Sequence, residues 1–268
     1  MKLGVIGCGK MGTALVEGAV RAGVAGSGEI TGCDPIPAAR DAFAKATGAK
    51  VFAGIAEVAA VSDVLLLATK PQDIAGALAE AAKSADGQPR LVISIAAGVT
   101  LAALEAGSPE NFRIIRAMPN TPALVGKGAA AFCLGGRATS ADAEAATSLL
   151  GAVGLATQVQ EKLMDAVTGL SGSGPAYVYL IIEALADGGV KNGLARADAI
   201  RLAAQTVLGA AAMVMETGEH PAVLKDMVTS PGGTTIAGLA EMEKSGVRSA
   251  LIGAVTAATR RSAELGGK

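Results

Sequence analysis

Six residues near the start of the chain, Gly7-Cys8-Gly9-Lys10-Met11-Gly12, have the spacing of a loop that binds the pyrophosphate of a dinucleotide. In such a loop the first glycine permits a tight turn, the second lets the backbone approach the phosphates, and the third lets helix and strand pack closely. The motif follows Lys2-Leu3-Gly4-Val5-Ile6, a short apolar run typical of a buried strand, and it precedes a segment with helical spacing of apolar residues. This context distinguishes it from a glycine turn that binds nothing, because it aims a helix N-terminus at the phosphates.

An acidic residue, Asp34, ends the second predicted strand, Glu29–Asp34. It lies about 20 residues beyond the last glycine of the loop, where a carboxylate accepts hydrogen bonds from the adenosine ribose hydroxyls. That position repels a 2′-phosphate and favours NADH over NADPH. The alternative is that Asp34 is the N-cap of a helix with Pro35 in its first turn, and both interpretations stay open.

Three further predicted strands each run into a loop of small or polar residues. The pairs are Ser62–Ala68 with Thr69-Lys70-Pro71, Leu91–Ile95 with Ala96-Ala97-Gly98, and Arg113–Ala117 with Met118-Pro119-Asn120-Thr121-Pro122. Loops that follow parallel strands meet at the carboxyl edge of the sheet, where ligands bind, so we expect these loops to line the cofactor groove. Asn120 would offer a carboxamide there, with a plain turn residue as the alternative.

A second stretch with chemical potential, Thr229-Ser230-Pro231-Gly232-Gly233-Thr234-Thr235, precedes a helix with periodic apolar residues. Glycines and hydroxyl residues at a helix start leave N–H groups unpaired, which makes a site for a small anion such as a substrate carboxylate. The two threonine hydroxyls add donors that can also give or take a proton. An ordinary helix capped by Ser or Thr is the alternative.

Composition narrows the function classes. The formal net charge is −1 and no block of Lys or Arg occurs, which argues against a nucleic-acid or anionic-membrane partner. The longest uncharged run, Ala166–Ile182, contains Ser171-Gly172-Ser173-Gly174-Pro175, so we expect no membrane span. Three cysteines without CxxC spacing, and no leader sequence, predict a reducing cytoplasm. The single histidine, His220, is a predicted loop residue and argues against metal sites and Ser-His-Asp triads.

Strand signals stop near Glu161, which divides the 268 residues into two predicted domains. Residues 1–161 would form a dinucleotide-binding Rossmann domain, and residues 162–268 an all-helical domain for dimerisation and substrate binding. In the second half, Ser173 is the predicted N-cap of a helix. The segment from Arg196 to Thr217 is apolar nearly all round. Such helices cannot cover themselves, so we expect an obligate homodimer.

Taken together, the motifs resemble those of pyrroline-5-carboxylate reductases over essentially the full length of the chain. The resemblance rests on the segments Gly7–Gly12, Ala68-Thr69-Lys70-Pro71, Ser94-Ile95-Ala96-Ala97-Gly98-Val99, Met118–Pro122, Gly169–Tyr177 and Asp226–Thr235. Many dehydrogenases share the first, whereas the last two together are specific to this family. The implied fold class is α/β, an N-terminal Rossmann-type doubly wound sheet followed by an all-α dimerisation domain, with decamers in some members.

The implied reaction is hydride transfer from NADH or NADPH to the C=N carbon of 1-pyrroline-5-carboxylate, giving proline. By position, the resemblance assigns the pyrophosphate to Gly7, Cys8, Gly9, Lys10, Met11 and Gly12, the ribose to Asp34, and the cofactor groove to Ala68, Thr69, Lys70, Pro71, Ile95, Ala96, Ala97 and Asn120. It assigns the substrate carboxylate and ring nitrogen to Ser230, Gly232, Gly233, Thr234 and Thr235, with Glu161 nearby. Thr235 would pass a proton to the ring nitrogen. At position 34 this chain has Asp, whereas relatives that use NADPH well often have Ser or Thr there.

Two other functions stay open from the residues. One is a reductase of hydroxy acids or other imines with the same two-domain plan. Such enzymes commonly need a Lys or Asp on a helix near the nicotinamide, whereas Lys191 lies at a helix end beside Asn192-Gly193, where the helix dipole explains it. The other is an NAD(P)-binding sensor without turnover.

Overall fold

The computed structural model describes residues 1–267. By their contacts these residues form two compact units. The first comprises residues 1–173 together with 257–267, and the second comprises Gly174–Thr256.

The first unit is built on one sheet, which has eight strands within residues 1–267. They are β1 Leu3–Ile6, β2 Ile30–Cys33, β3 Lys50–Phe52, β4 Val64–Leu67, β5 Arg90–Ser94, β6 Phe112–Met118, β7 Gly128–Leu134 and β8 Gly154–Gln158. Their order is β3-β2-β1-β4-β5-β6-β7-β8. Neighbours pair in parallel except β6 and β7, which are antiparallel. The predicted doubly wound sheet is confirmed, with the strand order reversing between β1 and β4, where such folds bind ligands.

Helices cover both faces of this sheet. They are α1 Lys10–Arg21, α2 Pro37–Thr47, α3 Ile55–Val61, α4 Ile74–Ser84, α5 Leu101–Ala106, α6 Ser140–Gly151 and α7 Met164–Val167. Successive residues of β4 alternate between two buried clusters, Leu66 in the one beneath α1 and α6 and Leu65 in the one beneath α3 and α4. Burial on both faces explains the continuous apolar runs of the central strands.

The second unit is helical, as predicted. Its helices are α8 Gly174–Lys191, α9 Arg196–Thr217, α10 Pro221–Met227 and α11 Thr234–Lys244, followed by α12 Val247–Leu265, which begins in this unit and ends among the residues of the first. His220 is the N-cap of α10, its Nδ1 accepting from the Ala222 N–H at 3.2 Å.

The prediction that Ser173 is an N-cap is wrong. Residues Thr168–Gly172 already form a turn of π-helix, and Ser173 continues in the helical region at φ −88° and ψ −22°. Its N–H donates to the Thr168 carbonyl at 2.8 Å. An N-cap needs extended backbone, whereas here the chain enters Pro175 already helical.

Within one protomer the helices of the second unit leave large apolar side chains exposed, among them Tyr179, Leu180, Leu202, Leu208 and Met215. By length and composition alone α9 could cross a membrane, and only 11% of its apolar window is buried in the protomer. An exposed apolar surface of this kind is typical of a protein–protein or membrane contact.

Candidate active site

The loop between β1 and α1 has the backbone geometry of a phosphate cradle. Gly7 has φ +103°, and a Cβ there would lie 2.7 Å from the Ala68 carbonyl oxygen. A Cβ on Gly12 would lie 2.7 Å from the Gly7 carbonyl oxygen. A Cβ on Gly9, in contrast, would meet only open space. The three glycines therefore match the three physical roles of the motif: a tight turn, an open approach and close packing.

Helix α1 begins directly at this loop. Its N-cap is Gly9, which has no side chain to occupy the first N–H groups. Gly9 and Lys10 are exposed and Met11 is half-buried, so the outer side of the loop is accessible. Unpaired N–H groups and the positive end of the helix dipole make this position suitable for the pyrophosphate of a dinucleotide.

Asp34 binds the backbone of the same loop. Its Oδ2 accepts from the Cys8 N–H at 3.0 Å, and its Oδ1 accepts from the Ile36 N–H at 2.9 Å. Helix α2 has Ile36 as N-cap and Pro37 in its first turn, so the alternative that Asp34 caps this helix is wrong. The carboxylate holds the glycine-rich loop, and each oxygen keeps a lone pair for a ribose hydroxyl.

Ala68 and Thr69 abut the glycine-rich loop from the end of β4, since a Cβ on Gly7 would lie 2.9 Å from the Thr69 nitrogen. The Thr69 hydroxyl oxygen is buried and has no hydrogen-bond partner among the residues that the structure describes. Buried polar atoms are rarely left unpaired, so this atom is suited to a bound polar group. The cradle and this orphaned hydroxyl together fit a dinucleotide.

Glu161 lies beside the loop that follows β5. Its Oε1 accepts from the Leu101 N–H at 2.6 Å and from Arg116 Nη1 at 3.2 Å. Leu101 is the first residue of α5, whose N-cap Thr100 ends the segment Ile95–Thr100. The carboxylate expected near the substrate is thus bound to backbone and to a buried arginine, which makes it a restraint on this loop. Sequence analysis did not single out Arg116. The signal that could have identified it is the presence of a charged residue inside the otherwise apolar strand Arg113–Ala117.

The end of α12 packs on the same loop within the first unit. Ser262 Oγ donates to Asp165 Oδ1 at 3.0 Å, and both residues are buried. A Cβ on Gly266 would lie 3.3 Å from the Gly98 carbonyl oxygen, so the two backbones are in close contact. Sequence reasoning missed this contact because no local pattern marks it.

The carboxamide of Asn120 is used within the protein. Its Nδ2 donates to the Ser171 carbonyl at 3.0 Å, and its Oδ1 accepts from the Ala129 N–H at 2.9 Å. The residue is buried. These contacts assign Asn120 to holding its loop in place, rather than to presenting a carboxamide at the groove.

In the second unit, α11 begins at Thr234 with Gly233 as N-cap and no side-chain cap. The alternative of a helix capped by Ser or Thr is therefore wrong. Gly232 takes the left-handed region at φ +67°, and the Gly233 N–H closes the turn on the Ser230 carbonyl at 3.1 Å. Ser230 and Thr234 are exposed and Thr235 is half-buried. An uncapped helix start beside three hydroxyls is suited to a carboxylate.

The Cys8 thiol, in the glycine-rich loop, is buried. Burial raises the pKa of the Cys8 thiol to about 12, with the charge of Asp34 raising it and that of Arg40 lowering it. Cys8 is therefore a neutral packing residue at physiological pH.

Within residues 1–267, no group of three or more His, Cys, Asp or Glu residues could hold a metal ion.

The chain is similar to proteins of one family over its whole length. A family model described as pyrroline-5-carboxylate reductase dimerisation matches residues 161–265, and one described as NADP oxidoreductase, coenzyme F420-dependent, matches residues 2–98. A pyrroline-5-carboxylate reductase of Methanosarcina acetivorans is 49% identical over 268 residues, covering 100% of this chain and 98% of the relative. One of Synechocystis is 52% identical over 268 residues, covering 100% and 99%.

Two solved structures have the same fold. A pyrroline-5-carboxylate reductase from Coxiella burnetii has a TM-score of 0.94 at 36% identity, covering 98% of both chains. A pyrroline carboxylate reductase from Plasmodium falciparum with NADP bound has a TM-score of 0.86 at 34% identity, covering 99% of this chain and 98% of that one.

Two glycine substitutions separate cofactor binding from folding. Gly9→Ala adds a methyl group in open space but makes a poorer N-cap for α1, so we expect only a small fall in Tm, about 2 to 4 °C. We expect NADH affinity to fall by about tenfold or more, because the backbone can no longer approach the phosphates closely. Gly12→Ala forces the new Cβ against the Gly7 carbonyl, so we expect both a lower Tm and weaker binding. Calorimetry and NADH fluorescence titration check this; full NADH affinity in Gly9→Ala contradicts it.

Proposed function

This chain belongs to the pyrroline-5-carboxylate reductase family, and we propose how its residues carry out the reaction. The protein reduces 1-pyrroline-5-carboxylate to L-proline with NAD(P)H, in proline biosynthesis. This conclusion rests on sequence identities of 49% and 52% to two pyrroline-5-carboxylate reductases, each over the full length of this chain. It decides against a hydroxy-acid reductase and against a sensor without turnover. The proposal is tested by measuring the decrease in NAD(P)H absorbance after the imine is added to the enzyme.

The first unit would hold the cofactor. Gly7–Gly12 and the start of α1 bind the pyrophosphate, and Asp34 meets the adenosine ribose. Residues Ala68, Thr69, Lys70 and Pro71 line the groove together with Ile95, Ala96 and Ala97. The buried Thr69 hydroxyl gains a partner there. Bound NAD(P)H supplies the hydride.

The second unit would hold the substrate. The N–H groups at the start of α11, with Ser230, Gly232, Gly233 and Thr234, bind the carboxylate. The Thr235 hydroxyl hydrogen-bonds the ring nitrogen and relays a proton to it from water, which replaces the hydroxyl proton in the same step. Glu161 acts at a distance, by fixing the backbone of Leu101.

The reaction asks little acid strength of the protein. A cyclic imine is readily protonated, and the resulting iminium accepts hydride well. The residues therefore mainly orient two bound reactants, and orientation alone can raise a reaction rate by several orders of magnitude. Hydroxyl groups and helix N–H groups suffice for this task.

We propose that residues 1–161 and 162–268 are the two functional domains, a division supported by the family match that begins at residue 161.

The protein is a homodimer, and we propose that a second copy is the partner that covers the apolar faces of α8 and α9. Dimers assemble further into decamers. The enzyme works in the cytoplasm, which three buried thiols without disulfides within residues 1–267 support.

Thr235→Ala removes the proposed proton donor. We expect kcat to fall by about 10²-fold, the low end for a positioned general acid, with NADH affinity nearly unchanged. Thr235→Ser keeps the hydroxyl and restores part of the rate. Thr147→Ala, an exposed threonine on α6, is the matched control. Wild-type turnover in Thr235→Ala removes this residue from the mechanism.

Asp34 makes NADH the preferred cofactor. Its charge at the ribose repels a 2′-phosphate, so wild-type kcat/KM is higher with NADH. Asp34→Asn removes the charge and shifts the NADH-to-NADPH ratio of kcat/KM toward NADPH by about tenfold, since each 1.4 kcal/mol is tenfold. Steady-state kinetics with both cofactors measure this. A wild-type enzyme with strong NADPH preference contradicts it.

Assembly through the second unit is tested on α9. Leu208 is 54% exposed in the protomer, and Leu208→Arg places a charge in the surface that we expect a second copy to cover. The variant should dissociate and lose activity. Val61→Arg puts the same charge on an exposed apolar residue of the first unit and should leave the dimer intact. Sedimentation velocity measures both, and a stable, active wild-type monomer refutes the proposal.

A further inference from the structure

Arg40 lies at the ribose end of the proposed cofactor site. It belongs to the first turns of α2, and its Nη1 donates to the main-chain oxygen of Asp34 at 2.7 Å. The side chain is half-buried. The guanidinium also lies close enough to the glycine-rich loop for its charge to lower the pKa of Cys8 against the opposing effect of burial.

This cation lacks a carboxylate partner. Among the described residues, 1–267, no Asp or Glu oxygen lies within 4.0 Å of its nitrogen atoms. Asp41, the next residue along the chain, makes no ion pair with it, and Asp34 uses its two carboxylate oxygens for the N–H groups of Cys8 and Ile36. One guanidinium nitrogen is anchored, and the other N–H groups stay available for a ligand.

We propose that Arg40 binds the 2′-phosphate of NADPH, so that the enzyme accepts this cofactor although Asp34 disfavours it. The proposal rests on the cofactor site proposed above. An arginine near the ribose is the group that accommodates a 2′-phosphate in dinucleotide-binding folds.

The chemistry favours a phosphate over other anions at this point. Arginine presents a planar fork of N–H donors that matches two phosphate oxygens, and it stays charged at all physiological pH values. Anchoring of Nη1 on the Asp34 carbonyl restricts the side chain before a ligand arrives, which lowers the entropy cost of binding. The two residues then act in opposite directions: Asp34 lowers NADPH affinity and Arg40 raises it.

Two nucleotides that differ only in the 2′-phosphate isolate this contact. Adenosine 2′,5′-bisphosphate and 5′-AMP are titrated by calorimetry into the wild-type dimer and into Arg40→Gln, Arg40→Lys and Arg21→Gln. We expect Arg40→Gln to weaken binding of the bisphosphate by tenfold or more and that of 5′-AMP by less than twofold. Arg40→Lys should lie between, because it keeps the charge and loses the fork. Arg21→Gln, at an exposed position at the end of α1, should match the wild type.

Steady-state kinetics provide the second readout. The kcat/KM with NADPH should fall in Arg40→Gln by the same factor as bisphosphate affinity, while kcat/KM with NADH stays near the wild-type value. Equal losses for both nucleotides overturn the proposal, because Arg40 then only supports the backbone of Asp34. If wild-type protein binds 5′-AMP and gains nothing from the 2′-phosphate, the proposal also fails, yet reduction of the imine with NADH stands. Failure to bind either nucleotide overturns the proposed cofactor site as well.

Discussion

Close backbone contact at the end of β1 is the constraint on which the first unit depends. The Gly7 carbonyl oxygen lies 2.7 Å from where a Cβ on Gly12 would be, and the Ala68 carbonyl oxygen lies 2.7 Å from where a Cβ on Gly7 would be. Strand β1, strand β4 and helix α1 therefore meet with only the small side chain of Ala68 and the edge of Val5 beside the Gly12 backbone. Because the helix starts so close to the strand ends, its unpaired N–H groups lie at the point where the strand order reverses.

Most of this arrangement could be predicted from the sequence, because its causes are local. Apolar runs mark buried strands, and the glycine spacing marks the turn. What could not be predicted depends on partners far apart in the chain: Glu161 binds the N–H of Leu101, and Ser262 binds Asp165. The identity of a residue shows that its side chain is polar, but not which distant atom that side chain will contact. The error at Ser173 has a related cause, since a π-helical turn before Pro175 leaves no local signature.

The start of α11 shows how a residue pattern with two readings is decided by backbone geometry. Ser230, Thr234 and Thr235 are all good N-cap types, which made a capped helix the simple alternative. The chain instead places Gly233 at the N-cap, and no side chain satisfies the first N–H groups. A glycine there forgoes part of the stability that a hydroxyl cap contributes, roughly a few tenths of a kcal/mol. This loss of stability is understandable if the unpaired N–H groups bind the substrate carboxylate.

The polar residues at the carboxyl edge of the sheet share one function. Asp34 accepts from the Cys8 N–H, Glu161 from that of Leu101, and Asn120 from that of Ala129. Each fixes the backbone of a loop beside the groove rather than presenting a reactive group to it. Imine reduction needs two reactants held in one orientation more than it needs a strong acid. An edge whose carboxylates and carboxamide are bound to loop backbone suits such a reaction, since a misplacement of about 1 Å can lower the rate by about 10²-fold.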